Sequence, residues 1–149
     1  MELSTYLPYL VNRVGQRFIT DITPILNEVG VDIQSWRVLI ALYQRGGQPV
    51  GALSELTSIN FSTLSRLLDR MEMKDLVHRR RGSDARSFTV ELTKAGREVT
   101  EKILPQANAL EAVVTASFSE AELATLRQLL AKLYAGLDAD KRTCDRMVG

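Results

Sequence analysis

The 149-residue sequence predicts a mainly helical, α+β chain with one β-hairpin set among its helices. Three observations carry that reading. Apolar residues recur at steps of three and four over most of the chain, the mark of helices with one inward stripe. After Leu76 and Val77 the period drops to two, as in a strand with one face covered. Residues that favour helix starts and stops stand at the edges of the helical stretches.

In chain order, Leu7, Leu10, Val14, Phe18, Ile22, Ile25 and Val29 predict one long amphipathic helix within 3–29. Pro24 is expected to kink it, and Gly30 to end it. A second helix starts near Gln34, carries WRVLIALY and stops at Gly46-Gly47. Pro49 opens a short third helix with Leu53 and Leu56 on one side. The fourth begins at Asn60, a favourable N-cap. Its Leu64, Leu67, Leu68 and Met71 form the inward stripe; Ser62, Arg66, Asp69, Arg70 and Met73 face outward, with Thr63 and Ser65 at the flanks. Next, LVHRR and a strand with Phe88, Val90 and Leu92 on its covered face make a hairpin, with Gly82-Ser83-Asp84 as turn chemistry. Thr93 caps a fifth helix whose core positions include Val99, Ile103, Leu110 and Val114, and Pro105 is expected to interrupt it. Ser119 and Glu122 form the S-x-x-E capping box of a sixth, which shows Leu123, Leu126, Leu130, Leu133 and Leu137.

Composition narrows the class. A chain of this length fits a single domain, 1–149, and 45% hydrophobic with 25% charged residues is ordinary for a soluble protein. The longest apolar run, VLIALY, falls far short of the roughly 20 residues a membrane span needs. MELSTYLPYL has no basic region ahead of an apolar core, so no secretory signal is read. A cytoplasmic chain without a membrane partner is expected. The single cysteine, Cys144, forms no internal disulfide. Metal-ligand spacing, a Gly-rich phosphate loop and a G-x-S-x-G elbow are all missing, so neither a cofactor nor catalysis is expected.

Charge is unevenly spread. Overall the net is +1, but residues 60–90 carry +3 and the remainder −2. Much of the excess sits in HRRRGSDARS, between 78 and 87. A local basic excess on one face is what contact with a polyanion requires.

The order helix, helix, hydroxyl-rich helix, basic hairpin is that of a winged helix-turn-helix. With QSWRVLIAL, INFSTLSRLLDRME, LVHRR, DARS and ELTKAG in this order and spacing, the chain resembles the multiple-antibiotic-resistance regulator (MarR) family over about 34–96. The flanking stretches 3–29 and 97–137 fall where that family keeps its N- and C-terminal dimerisation helices. Their long apolar stripes also exceed what a small winged lobe can cover, which favours a dimer on its own account. Asp75 departs from the family pattern, which often has glycine at the end of the recognition helix. So does the N-terminal region, which lacks the cysteine of the family's peroxide-sensing branch.

The resemblance implies a homodimeric transcriptional regulator, a repressor, that reads a pseudo-palindromic operator in double-stranded DNA. On that reading Asn60, Ser62, Thr63 and Ser65 meet base edges and phosphates at the recognition-helix N-terminus, and Arg66 and Arg70 contact bases or phosphates. Arg79 and Arg81 meet phosphates. Arg86, with Ser87 beside it, enters the minor groove, held in position by Asp84. A small aromatic or phenolic effector is also implied, with Arg13, Arg17 and Trp36 as its candidate site. Taken without the resemblance, the hydroxyls of 62–65 read more readily as solvated helix positions, the 79–81 arginines as an edge that discourages strand pairing, and Trp36 as core. A winged-helix module that binds protein instead of DNA is the alternative.

Overall fold

Local capping chemistry sets most of the helix boundaries. The computed structural model describes residues 2–82, 84 and 87–147, with side chains as far as 138. Helix α1, Leu7–Glu28, runs through Pro24 as one assigned helix, so the lost N–H weakens a turn without ending the element. It closes with the Val31 N–H donating to the Leu26 carbonyl at 3.0 Å and Gly30 at φ 69°, a Schellman stop. The Asp32 side chain accepts the Ser35 N–H at 2.7 Å and starts α2, Ile33–Arg45. A two-residue strand, β1, Gln48–Pro49, leads into α3, Val50–Thr57.

Helix α4, Phe61–Met73, begins at Asn60, whose side chain accepts the Thr63 N–H. Strands β2, Val77–Arg81, and β3, Phe88–Leu92, form the predicted hairpin. They pair antiparallel, with Arg79 opposite Val90 and Arg81 opposite Phe88. β1 adds to the other side of β3, giving the order β1-β3-β2. Helix α5, Lys94–Thr115, passes through Pro105 without the expected interruption. Ser119 and Glu122 exchange both capping-box hydrogen bonds, at 2.8 and 3.1 Å, ahead of α6, Glu120–Met147.

Packing divides the chain into two compact units, Met1–Leu110 and Glu111–Gly149. The first holds the core. Leu26, Val38, Leu39, Leu42, Leu53, Leu64, Leu67, Leu68, Met71, Val77, Val90 and Ile103 are all buried in it. Three predicted core positions are exposed instead. Leu56 lies outside because the short α3 turns Leu53 and Thr57 inward. Phe88 sits at the outer end of the hairpin, where the Arg81 guanidinium stacks over its ring at 5.9 Å. Val114 in α5 is also exposed. No helix among the described residues is long and apolar enough to cross a membrane.

Two contacts join the end of α4 to the start of α5. The Thr93 N–H donates to the Leu76 carbonyl at 3.2 Å, and the Thr93 hydroxyl donates to the Asp75 carbonyl while accepting the Gly96 N–H at 2.9 Å. Gly96 is required by the approach, since a Cβ there would lie 1.9 Å from the Leu76 carbonyl oxygen. The two elements meet backbone to backbone.

Candidate nucleic-acid interface

The inward stripe of α4 fixes what its other side presents. With Leu64, Leu67, Leu68 and Met71 buried, Phe61, Ser62, Arg66, Asp69, Arg70 and Met73 are exposed, and Thr63 and Ser65 half-buried. At the N-terminus Asn60 Oδ1 accepts from the Thr63 N–H at 2.9 Å and from the Ser62 hydroxyl at 3.1 Å. The Ser62 hydroxyl proton is thus committed to the cap, and its oxygen offers lone pairs outward. One N–H of the first turn is satisfied by Asn60; the helix dipole still makes this end favourable to anions.

The arginines divide into two kinds. Arg66 and Arg70, one turn apart on the exposed face, enter no ion pair among the described residues. Arg79, predicted to meet phosphate, is folded back onto α4. Its guanidinium pairs with Glu72, pairs with Asp69 at 2.8 Å and donates to the Ser65 carbonyl at 3.3 Å. Its own backbone N–H donates to Glu72 at 2.9 Å. With its side chain 22% exposed, Arg79 is held by the protein rather than presented to solvent. This placement arises because β2 runs beside α4, with the Arg79 side of the strand against the helix.

On the opposite strand face, Glu91 pairs with His78 at 3.2 Å and with Arg80 at 3.9 Å. Arg80 and Arg81 are both exposed. At the hairpin turn Gly82 N–H donates to the Ser87 carbonyl at 3.0 Å, and Ser87 N–H to the Asp84 carbonyl at 3.1 Å. Asp84 and Ser87 are therefore placed together at the tip. Arg86 lies outside the described residues, and the expected Asp84–Arg86 contact with it.

The fold that carries this arrangement has counterparts among known proteins. The MarR family model matches residues 31–88, which span α2 to the first residue of β3. A MarR-family transcriptional regulator from Silicibacter pomeroyi is 31% identical, with a TM-score of 0.82 over 91% of this chain and 92% of that one. The chain belongs to the MarR family. A cysteine-to-serine variant of MarR from E. coli, solved with operator DNA, is 26% identical at a TM-score of 0.76, covering 85% of this chain and 92% of that one. NadR, solved with 4-hydroxyphenylacetate, is 25% identical at 0.81, covering 87% and 92%. The fold is the family's winged helix, and the family consists of transcriptional regulators.

Each of the three candidate effector residues has surroundings of its own. Trp36 is 8% exposed and belongs to the core. Arg17 pairs with Asp21 at 3.0 Å one turn along α1, and Arg13 stacks over the Tyr9 ring at 5.5 Å. A cavity of about 480 Å³ beside α2 is lined by Arg37, Ile40, Ala41, Gln44, Arg45, Leu56, Thr57 and Ser58, and by none of those three. Trp36 lies on the inward stripe of α2, and the α1 arginines find partners on their own helix.

Sequence reasoning passed over three residues at the interface. Glu72 and Asp69 matter through Arg79, a link no local pattern reveals. Phe61 is 59% exposed at the first position of α4. Its exposure was not legible, since at i−3 from Leu64 and i−7 from Leu68 it stands in step with the inward stripe.

Proposed function

We propose that this chain is a homodimeric repressor that sets α4 of each copy into successive major grooves of a pseudo-palindromic operator. The observation that carries the reading is the exposed face of α4, where Arg66 and Arg70 stand free beyond the capped N-terminus and the basic hairpin lies alongside. Helices of this kind enter the major groove N-terminus first. There Arg66 and Arg70 reach guanine edges or phosphates, the oxygens of Ser62, Thr63 and Ser65 meet bases and backbone, and Asn60 keeps the first turn in shape. Arg81 adds a phosphate contact, and Arg86, positioned by Asp84 and flanked by Ser87, enters the minor groove. Bound across a promoter, the dimer blocks polymerase.

Dimerisation is supported by apolar side chains left uncovered within each unit. In the first these include Leu7, Val11, Val14 and Phe18; in the second, Leu126, Leu129, Leu130 and Leu137. An effector of phenolic-acid class is the corresponding proposal for regulation, prompted by NadR. It would act by favouring a conformation of the dimer that does not fit the operator.

The test is a titration of the purified chain against duplexes from upstream of its own gene at several salt concentrations, with mass measured by light scattering. A dimer binding one symmetric site, with affinity falling steeply as salt rises, is the expected result. If that fails and selection from random duplexes also enriches no sequence, the DNA reading is lost and the protein-binding module takes its place. Adding 4-hydroxyphenylacetate or salicylate to the bound complex tests the effector class.

A further inference from the structure

We propose that Arg79 is a positioning residue, a latch that locks the hairpin to the recognition helix and masks two carboxylates that would otherwise face DNA. The inference rests on the DNA-binding reading above. Ser65, Asp69 and Glu72 lie at i, i+4 and i+7, so they form a ladder along one side of α4. A single guanidinium from β2 reaches all three, through Glu72, Asp69 at 2.8 Å and the Ser65 carbonyl at 3.3 Å. Glu72 also accepts the Arg79 backbone N–H at 2.9 Å. Strand and side chain are thus fixed to the same two turns of helix.

Two consequences follow. The hairpin cannot change its angle to α4 without breaking charge-assisted hydrogen bonds; those to Glu72 are partly buried, where they are stronger than in water, and that to Asp69 is exposed. The spacing between recognition helix and wing is therefore set before DNA arrives, and less freedom is lost on docking. Second, Asp69 stands on the outward face with Arg66 and Arg70, and Glu72 flanks it. Unpaired, both would repel phosphate. Arg79 offsets part of that charge and leaves Arg66 and Arg70 to act on the nucleic acid.

The planar fork is essential to this role. Lysine keeps the charge but has no rigid array of donors to bridge three acceptors. Arg79→Lys separates the latch from a direct phosphate contact, because an ammonium serves a phosphate well.

The experiment compares the full-length protein with R79K, R79A, E72Q and R79A/E72Q in operator affinity at several salt concentrations. Amide exchange of β2 is followed without DNA. The latch predicts that R79K weakens binding by about tenfold and speeds exchange across 77–81. It also predicts that R79A costs less in the E72Q background than alone, and leaves the salt slope close to that of the unaltered protein. Near-normal affinity in R79K overturns the proposal. So does a slope lowered by about 0.9 per subunit in R79A, or an equal or larger cost in E72Q. R79K decides if R79A does not fold. Should the unaltered protein bind neither the upstream duplexes nor any selected from random sequence, the DNA reading fails by itself, and unchanged exchange in R79K would sink the latch independently.

Discussion

Helices α4 and α6 carry the same kind of pattern and meet opposite fates. In α4 the residues at i, i+3, i+4 and i+7 are all at or below 1% exposed. In α6 the leucine stripe is as regular, yet Leu126, Leu129, Leu130 and Leu137 are 40–60% exposed. Periodicity states which side of a helix is apolar; it says nothing about what covers that side. For α4 the cover comes from α2, α3 and the hairpin within the first unit. For α6 the cover we propose is a second copy of the chain.

The largest expected effect comes from breaking the second case. Leu126→Glu with Leu130→Glu puts charge onto the stripe at positions one turn apart. Each leucine buried in a dimer contributes on the order of 1.5–3 kcal/mol, and symmetry doubles the number. Light scattering should show monomers at concentrations where the unaltered chain is dimeric, and the dependence of Tm on protein concentration should vanish. A dimer of unchanged stability would mean that the stripe of α6 is covered by something else.

Leu67→Ala probes the self-covered helix. It leaves a cavity in a core of leucines and should cost about 2–5 kcal/mol. The shift, read from chemical denaturation, should be the same at low and high protein concentration. A cost that grew on dilution would tie the lobe core to the dimer.

Gly96→Ala comes next. The new Cβ would be 1.9 Å from a backbone carbonyl oxygen, which cannot turn aside as a side chain can. Overpacking of this kind typically costs about 1–3 kcal/mol, and thermal melts of the variant report it. A normal melting temperature would show that the start of α5 can slide away from Leu76.

The contrast also explains which features were legible in the sequence. Asn60, Thr93 and the Ser119/Glu122 box act across three residues or fewer, so their caps could be read directly. The stripe of α4 and the hairpin were legible for the same reason, since period is a local property. Arg79 was not, because its partners Asp69 and Glu72 become neighbours only once β2 lies beside α4. The same holds for the two-residue β1, which is a strand only by virtue of β3, and for Leu56, whose exposure follows from how α3 is turned. Trp36 was legible as core from its place in the apolar run of α2, and it is 8% exposed. For Ser62, Arg66 and Arg70, placement on the outer face was legible from the same period.

The smallest effect concerns how the two best-defined helix ends are made. Helices α1 and α4 close alike: Val31 N–H reaches Leu26 as Leu76 N–H reaches Met71, at 3.0 and 2.9 Å. Each places one residue in the left-handed region, Gly30 at φ 69° and Asp75 at φ 57°. A side chain there carries a steric penalty that glycine avoids. Asp75→Gly would remove the penalty, but glycine also gives the unfolded chain more freedom. The net gain should be under about 1 kcal/mol, visible as a small rise in Tm. Operator affinity should stay as it was, because the Asp75 group joined to Thr93 is the backbone carbonyl, which glycine retains. A loss of affinity with that rise would mean that the carboxylate itself tunes the end of the recognition helix. Aspartate would then stand there for DNA binding at the expense of stability, and the two helix ends would differ in purpose as well as in residue.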